Sequence, residues 1–315
     1  MKRLLLSVSL FGMSWLALAG EEIDRSLDAA KDAHVQIVHV NGSANVQVWD
    51  KAEVKVEGTL GDRTKKFIFE KDDNEVLIKV KVKKGSDWKK NSADDGDDLT
   101  IYVPKQSKVS YNAINANVVF KGVEGGSRIE TVNGSIDAKE LLGRVRLESV
   151  NGNIEADKLE GDVEIETVNG SIVSRDSNGK EGSYKSVNGN IDVTTESGDI
   201  QVGSVNGNID LNLGEISQLN IETVNGAIEA HLQMQNDGEL NASSVGGAIR
   251  LYFQEEVSAR FDIEAHAGGN ITNKLSDDKV EKAKYGPSRW LKFSHNGGSA
   301  KVNISTVNGQ VQLDK

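Results

Sequence analysis

The chain has 315 residues, no cysteine and a formal net charge of −11 at pH 7. Without cysteine, no disulfide stabilises the fold, so stability must come from buried surface. The acidic balance argues against binding to nucleic acid or to anionic lipid surfaces, because like charges repel.

Residues 1–20 have the features of a secretory signal peptide. Lys2 and Arg3 form a positive start, an uncharged and mainly apolar run of 17 residues ends at Gly20, and Ala17 and Ala19 flank a small-residue cleavage site. The alternative is an uncleaved membrane anchor, but the run is shorter than the roughly 20 residues that span a bilayer. No cysteine follows the run, which excludes a lipoprotein. We expect an exported chain of net charge −13, without a membrane-spanning segment after cleavage, located in the periplasm or alternatively at the cell surface or secreted.

Residues 21–110 are predicted to form an N-terminal cap with irregular first rungs, a rung being one turn of a coiled chain. Apolar and polar residues alternate over residues 34–40, 44–49, 53–58 and 75–82, as in strands with one buried face. Residues 83–98 are highly charged, which predicts a disordered or exposed loop. The next strand ends at Pro104.

Residues 111–272 contain a regular repeat, Thr/Ser-Val-Asn-Gly-x-Ile. Its valines are 18 or 19 residues apart, at Val132, Val150, Val168, Val187, Val205 and Val224. A fixed period of this kind is typical of a solenoid. A series of Asn-Gly hairpins would not explain why identical residues return at this interval, and each unit holds two short stretches of alternating apolar residues. The sequence predicts an all-β fold, a parallel β-solenoid or β-helix with rungs of about 18 residues and two short strands per rung.

Parallel stacking about 4.8 Å apart places equivalent residues in columns. We predict that the six valines form one interior column. A second interior column is predicted for Ile136, Ile154, Ile172, Ile191, Ile209 and Ile228. The Thr or Ser before each valine should face inward, beside a structural asparagine ladder formed by Asn133, Asn151, Asn169, Asn188, Asn206 and Asn225. Burial of the valines implies that Val168→Asp destabilises the protein far more than Asp137→Asn.

Residues 273–290 interrupt the repeat, and residues 291–315 are predicted to form a C-terminal rung. Within the interruption, residues 276–284 have the pattern of a short helix that Gly286 and Pro287 would end. The alternative is a loop that folds over an end or edge of the solenoid, with Trp290 packed against it, and we favour that loop over a ligand lid.

The chain resembles a known family in three segments. These are residues 49–58 (WDKAEVKVEG), residues 99–104 (LTIYVP) and the Val-Asn-Gly-x-Ile series that ends at residues 304–309 (ISTVNG). They are similar to the bacterial putative adhesin family of exported β-strand-repeat proteins, a domain of unknown function. The resemblance covers nearly all of the chain after residue 20 and implies attachment at the envelope or surface. It brings no catalytic residues, and residues 83–98 and 272–290 depart from the family's plainest pattern.

Two acidic stripes are the main candidate sites. One consists of Asp137, Glu155, Asp192, Asp210 and Glu229, and the other of Glu130, Glu148, Glu166 and Glu222. Carboxylates at rung spacing repel by about 1 kcal/mol per pair in water, so the stripes either stay solvated or weakly bind cations. A repeated arrangement does not resemble a catalytic constellation, which is usually singular.

The remaining polar residues do not define a chemical centre. The five histidines, His34, His39, His231, His266 and His295, lack metal-ligand spacing. Residues 94–98 (DDGDD) offer oxygen ligands for calcium, but such runs are usually solvated. We assign no catalytic, cofactor-binding or metal-binding residue and no cofactor.

Three functions remain compatible with the sequence. The first is a non-enzymatic exported β-solenoid, an adhesin-like binding or structural module of the bacterial cell envelope with an unidentified envelope or surface partner. The second is a polysaccharide-binding or -cleaving β-helix, for which the repeats offer few aromatic platforms. The third is a periplasmic envelope assembly or stress factor that binds a partner by strand addition.

Overall fold

A computed structural model describes residues 20–83 and 96–315, and over these residues the secondary structure consists of strands and turns without a helix. The prediction of an all-β fold is confirmed. Residues 1–19 and 84–95 lie outside the described part, and with them lie nearly all of the predicted signal peptide and most of the charged loop 83–98.

The strands fall into three groups along the chain. The N-terminal group contains β1 (Glu21–Asp28), β2 (His34–Trp49), β3 (Glu53–Leu60), β4 (Thr64–Asp72), β5 (Glu75–Val82) and β6 (Asp97–Pro104). The regular group contains β7 (Lys108–Lys121), β8 (Ser127–Thr131), β9 (Ile136–Lys139), β10 (Leu142–Ser149), β11 (Ile154–Asp157), β12 (Glu160–Thr167), β13 (Ile172–Ser177), β14 (Glu181–Ser186), β15 (Ile191–Thr195), β16 (Asp199–Ser204), β17 (Ile209–Thr223), β18 (Ile228–Ser244) and β19 (Ile249–Phe253). The C-terminal group contains β20 (Ala259–Ala265), β21 (Asn270–Asn273), β22 (Glu281–Lys282), β23 (Arg289–His295), β24 (Ala300–Thr306) and β25 (Gln310–Asp314).

The regular group coils as a parallel solenoid. In one ladder, β8, β10, β12, β14 and β16 are neighbours, and in the other β9, β11, β13 and β15 are neighbours. Val145 lies opposite Val163, and Ile136 lies opposite Ile154, which are steps of 18 residues. β17 and β18 are long because each runs from the second ladder into the first ladder of the next rung. The parallel β-solenoid is confirmed, with two strands per rung.

The N-terminal end of the solenoid is closed by antiparallel strands. β2 pairs in parallel with β7 on one side and with β5 and β6 on the other. From there the sheet continues antiparallel, through β5 to β4 and through β6 to β3 and β1. The outermost strand β1 is mostly exposed and carries Glu21, Glu22, Asp24 and Arg25, a charged edge that discourages pairing with another chain.

The C-terminal end places its rungs out of sequence order. β24 lies between β18 and β20, with Thr306 opposite both Ser244 and Ala265. β25 likewise lies between β19 and β21. The last clean repeat of the sequence is therefore the penultimate rung in space, and β20 with β21 forms the terminal one. The end of the chain is held between two rungs instead of forming an edge.

The segment 273–290 contains no helix, so the helical pattern over residues 276–284 did not predict its structure. It is a loop in which Glu281–Lys282 (β22) pairs antiparallel with β23, which itself pairs antiparallel with β20. Trp290 is half-buried and its indole Nε1 donates a hydrogen bond to Glu281 Oε2 at 3.0 Å. These antiparallel strands cover the edge of β20.

The predicted isoleucine column forms part of the core. Ile136, Ile154, Ile172, Ile191, Ile209 and Ile228 are each at most 1% exposed. The Thr and Ser column is also buried, from Thr131 and Ser149 through to Thr223. Both inward assignments are confirmed.

The predicted burial of the valine column is wrong. The six valines are 38–41% exposed. Strand alternation explains the difference: Ile165 and Thr167 point inward, so the next residue, Val168, points outward. Asn169 also lies outside at the corner, and the buried corner position belongs to Gly170.

The corner glycine is required by a close approach between rungs. A Cβ atom at Gly170 would lie 2.1 Å from the carbonyl oxygen of Gly152 and 3.0 Å from Thr167 Oγ1. Gly152 has the same relationship to Gly134, at 2.0 Å. A side chain at this position would push successive rungs apart, which accounts for the glycine in each repeat.

Candidate binding groove

The most extensive unusual surface of the described residues is a column of exposed aliphatic side chains along one corner of the solenoid. Its members share one position of the repeat, which follows an inward Thr or Ser in every case except Ile114, where the preceding residue is Ala113. Their exposure ranges from 36% to 48%: Ile114, Val132, Val150, Val168, Val187, Val205, Val224, Val245 and Val307. The column is continuous through Val307, because the backbone amide of Val307 donates a hydrogen bond to the carbonyl oxygen of Ser244 in the rung that precedes it in space. The column ends at the exposed His266, whose backbone amide donates a hydrogen bond to the carbonyl oxygen of Thr306.

Seven of these valines, from Val132 to Val245, line an open groove of about 990 Å³. The buried hydroxyl column, which includes Thr131 and Ser204, lies beneath it. At about 4.8 Å per rung the seven valines extend over roughly 29 Å. The groove is therefore long, largely apolar and parallel to the axis of the solenoid.

A column of mainly acidic residues forms the other wall of the groove. The strand register aligns Glu130, Glu148, Glu166, Lys185, Gly203, Glu222 and Ser243 in successive rungs. These are the residues two positions before each valine, which alternation also directs outward. The acidic stripe predicted from the sequence is thus brought beside the aliphatic column, with Lys185 and Gly203 interrupting it.

Neighbouring cations neutralise the stripe at one end. Arg128 pairs with Glu130 and lies 3.5 Å from Glu148, and Arg146 also pairs with Glu148. The hydrogen bond from Arg146 to Glu148 raises the pKa of the Arg146 guanidinium above its usual value. Lys185 Nζ lies 3.5 Å from Glu166.

Glu222 differs from the other carboxylates of the stripe. It is exposed, and it has no ion-pair partner among the described residues. The position one rung earlier is Gly203, where an added Cβ would meet nothing closer than Lys185 Cγ, at 3.8 Å. Gly203 therefore leaves a notch in the wall between Lys185 and Glu222.

The asparagine ladder runs along the outer side of the valine column. From Asn115 onward, each side-chain amide donates to the side-chain carbonyl oxygen of the asparagine in the preceding rung at 2.8–3.0 Å. The members are Asn41, Asn115, Asn133, Asn151, Asn169, Asn188, Asn206 and Asn225. Their structural role is as predicted, although they lie on the surface. Gly246 occupies the next position, so the carbonyl oxygen of Asn225 has no amide above it in the ladder.

The other predicted acidic stripe lies on a different outward face. Asp137 pairs with Lys139 at 2.7 Å, and Glu229 lies 3.7 Å from Arg250. Asp192 and Asp210 are exposed. Across residues 20–83 and 96–315, no group of three or more histidine and acidic side chains is arranged to hold a metal ion.

The histidines lie in separate places. His34 and His266 are exposed, His295 is half-buried, and His231 stacks on Tyr252 with ring centroids 4.3 Å apart. His39 is buried: its Nδ1 lies 2.8 Å from the Tyr111 hydroxyl and its Nε2 lies 3.3 Å from Asp97 Oδ2.

Asp97 corrects the prediction of an exposed acidic run at residues 94–98. Its Oδ1 accepts hydrogen bonds from Gly61 N at 2.9 Å and Thr64 Oγ1 at 2.7 Å. Burial raises the pKa of this carboxyl, but the close contact with His39 and the hydrogen bonds from Thr64 and Gly61 outweigh burial, and the pKa lies below its usual value. Asp98 accepts a hydrogen bond from Ser43, so protein donors already use the carboxylates of the run that the structure describes. Asp94 and Asp95 lie outside the described residues.

Sequence reasoning missed the groove because it placed the valines inside. The signal that identifies it is the strict alternation in residues 163–168, where Val163, Ile165 and Thr167 share one parity and Val168 has the other. The repeat of identical apolar residues was a competing signal for burial. An apolar column also forms when β-branched residues stack on the outer surface.

Fold and groove together define an all-β solenoid with an exposed apolar groove along its length. The chain belongs to the Toastrack DUF4097 family, whose model matches residues 35–314. The expected family resemblance is confirmed. A search of curated proteins finds no match to the chain.

Several solved structures are similar to this chain. A putative adhesin from Parabacteroides distasonis has a TM-score of 0.44 and 17% identity, covering 93% of this chain and 97% of that one. A putative adhesin from Bacteroides fragilis has a TM-score of 0.39 and 12% identity, with coverage of 93% and 97%. A putative lipid binding protein from Parabacteroides distasonis has a TM-score of 0.39 and 13% identity, with coverage of 94% and 98%. Within residues 20–83 and 96–315, no helix is long and apolar enough to span a membrane.

Proposed function

We propose that this protein is a non-enzymatic, exported, adhesin-like binding module of the cell envelope, and that the valine groove is its binding surface. The observation that carries the proposal is the nine-residue aliphatic column, held at one corner through rungs that are otherwise apolar inside and polar outside. Contiguous exposed apolar surface on a soluble protein usually marks an interaction site.

The arrangement of polar groups supports binding over catalysis. The groove repeats the same valine position in rung after rung, with a glutamate two positions earlier in four of the seven rungs, whereas catalysis usually needs one singular group of residues. The buried His39, Asp97 and Tyr111 are 0–3% exposed and lie away from the groove lining. Export is supported by the signal-like residues 1–20, and attachment is suggested by the family that the sequence resembles.

The test measures where the full-length protein is located in the cell and whether this location changes when the groove is altered. A tagged full-length protein is produced in its cells, which are fractionated and treated intact with protease. We expect the protein in the envelope fraction, released by salt or detergent. The triple variant Val187→Thr/Val205→Thr/Val224→Thr, which retains side-chain shape while adding hydroxyls, should move to the soluble fraction.

The outcomes separate the alternatives. Cleavage by external protease supports an adhesin at the surface, and confinement to the periplasm favours an envelope assembly or stress factor. A cytoplasmic protein contradicts export. An unchanged distribution of the triple variant contradicts the groove as the binding surface.

A further inference from the structure

We propose that the valine groove binds a cationic amphipathic helix of a partner protein. This inference rests on the function proposed above and adds the class of partner. It follows from the spacing of the valines, the unpaired carboxylate of Glu222 in the opposite wall and the notch at Gly203.

The spacing of the column suits a helix that lies along the solenoid axis. The valines recur about every 4.8 Å, and an α-helix advances about 5.4 Å per turn and presents apolar residues at i, i+3, i+4 and i+7. Each helical turn therefore meets about one rung. The roughly 29 Å covered by the seven valines corresponds to a helix of about 20 residues, at about 1.5 Å per residue.

An extended peptide fits the same surface less well. Its side chains on one face recur about every 6.8 Å, twice the strand rise, which is out of step with the rungs. The groove floor consists of side chains such as Val168 and Val205, so a strand along it would find no ladder of backbone groups to pair with. Binding of a helix does not need such pairing, because its backbone hydrogen bonds are internal.

The charge of the groove selects the sign of the partner. Glu130, Glu148 and Glu166 stand beside the apolar floor but are paired with Arg128, Arg146 and Lys185. Among the described residues of this wall, Glu222 is therefore the free carboxylate, and the chain as a whole carries a net charge of −11. A helix with Lys or Arg flanking its apolar stripe would place a cation against Glu222 and would be attracted by the net negative charge. A second copy of this chain would instead bring two chains of net negative charge together, which is unfavourable.

The notch at Gly203 gives the groove a specific anchor point. The missing side chain opens the wall at Val205, and the exposed, unpaired Glu222 lies on one side of the opening among the residues that the structure describes. A lysine or arginine side chain of the partner can enter there and bond the Glu222 carboxylate. Lys185, already 3.5 Å from Glu166, occupies the other side and leaves Glu222 as the free acceptor.

The test uses synthetic peptides as probes of the purified protein. A fluorescent 20-residue peptide has Leu at helical spacing and Lys elsewhere, and binding is followed by anisotropy and by circular dichroism. The first control has the same composition with Leu and Lys in strict alternation. The second control carries Glu in place of Lys.

We expect the cationic helical peptide to bind and to gain helicity on binding, with weaker affinity at high salt. Glu222→Gln should weaken binding about two- to fivefold, and the triple valine-to-threonine variant about tenfold or more. Asp210→Asn, on the other outward face, should leave the affinity unchanged.

Three results overturn the inference. Equal or tighter binding of the alternating peptide would show that the site accepts an extended chain, and equal binding of the acidic peptide would show that the carboxylates do not select charge. A wild-type dimer that becomes a monomer in the triple variant would identify a second copy as the occupant.

The inference and the underlying function fail separately. If no peptide binds but the triple variant still leaves the envelope fraction, the groove binds something other than a cationic helix. If the triple variant keeps its cellular distribution and all peptides fail, the groove is not a binding surface.

Discussion

Val168 and Ile172 lie four residues apart in the same repeat, yet Val168 is 39% exposed and Ile172 is fully buried. A corner of the solenoid lies between them, so that the apolar residue before the corner faces solvent and the apolar residue after it faces the core. The same relationship holds in every clean repeat, so the isoleucine column lies inside the solenoid and the valine column lies outside it.

This difference predicts unequal effects of aspartate at the two positions. Ile172→Asp buries an unpaired charge and should lower the free energy of unfolding by about 4 kcal/mol or more. Val168→Asp leaves its charge in water and should cost about 1 kcal/mol, from weaker packing and repulsion by Glu166. Urea denaturation of both variants makes the comparison. Equal losses would mean that the valines are buried after all.

The sequence was sufficient to predict the coil, because the 18-residue repeat and the alternation leave few other folds. It also predicted the inward Thr and Ser residues and the asparagine ladder. The valine column was assigned to the wrong side, because repetition of an apolar residue is a signal for stacking and does not by itself determine the face. Alternation from Thr167 would have determined it.

The order of the C-terminal rungs could not be read from the repeat. Thr306 and Ser244 occupy the same position of the repeat. Nothing in the local sequence indicates that the rung containing Thr306 lies between two rungs that come earlier in the chain. That arrangement is a long-range pairing, in which β24 lies against β18 on one side and against β20 on the other. The acidic run at residues 94–98 likewise gave no sign that Asp97 pairs with His39.

The asparagine ladder predicts a position-dependent effect of alanine. Asn169 donates to Asn151 and accepts from Asn188, whereas Asn225 only donates, to Asn206. We expect Asn169→Ala to cost about 1–2 kcal/mol and Asn225→Ala about half as much. Thermal unfolding of the two variants tests this. A greater loss for Asn225→Ala would contradict a ladder whose members are linked in both directions.

Two glycines should respond in opposite ways to alanine. At Gly170 a Cβ would meet the carbonyl oxygen of Gly152 at 2.1 Å, and at Gly203 it would meet only Lys185 Cγ, at 3.8 Å. Gly170→Ala should cost about 3 kcal/mol or more, because backbone must move. Gly203→Ala should be neutral or stabilising by about 0.5 kcal/mol, since glycine weakens a strand interior. Denaturant midpoints of the pair give the answer, and similar losses would contradict the close contact at the corner.

The buried pair of His39 and Asp97 predicts a pH-dependent loss of stability. The pKa of the Asp97 carboxyl is lowered in the folded state, so its contribution is fully present above the unfolded pKa of about 4 and disappears as pH falls through the lower folded pKa. At pH 7, Asp97→Asn should cost about 2 kcal/mol, because it replaces a buried carboxylate that accepts hydrogen bonds from Gly61 N and Thr64 Oγ1.

The measurement is the melting temperature of wild type and Asp97→Asn between pH 7 and pH 3. The advantage of the wild type should be constant near neutrality and should shrink below about pH 4. As a control, Asp210→Asn changes an exposed carboxylate on another face and should show little difference at any pH. A difference for Asp97→Asn that grows on acidification would contradict a lowered pKa.

The central claim is that the valine column is a surface that another molecule covers in the cell. Because the chain has no cysteine, a single cysteine at position 205 reports on the groove, and one at position 210 reports on an exposed face outside the groove. The rates at which a small thiol reagent labels Val205→Cys and Asp210→Cys are compared in the purified protein and in intact producing cells. We predict that both react readily when purified and that only Val205→Cys is protected in cells. Protection of Val205→Cys in the purified protein would contradict its exposure, and an equal ratio of the two rates in both settings would contradict a bound groove.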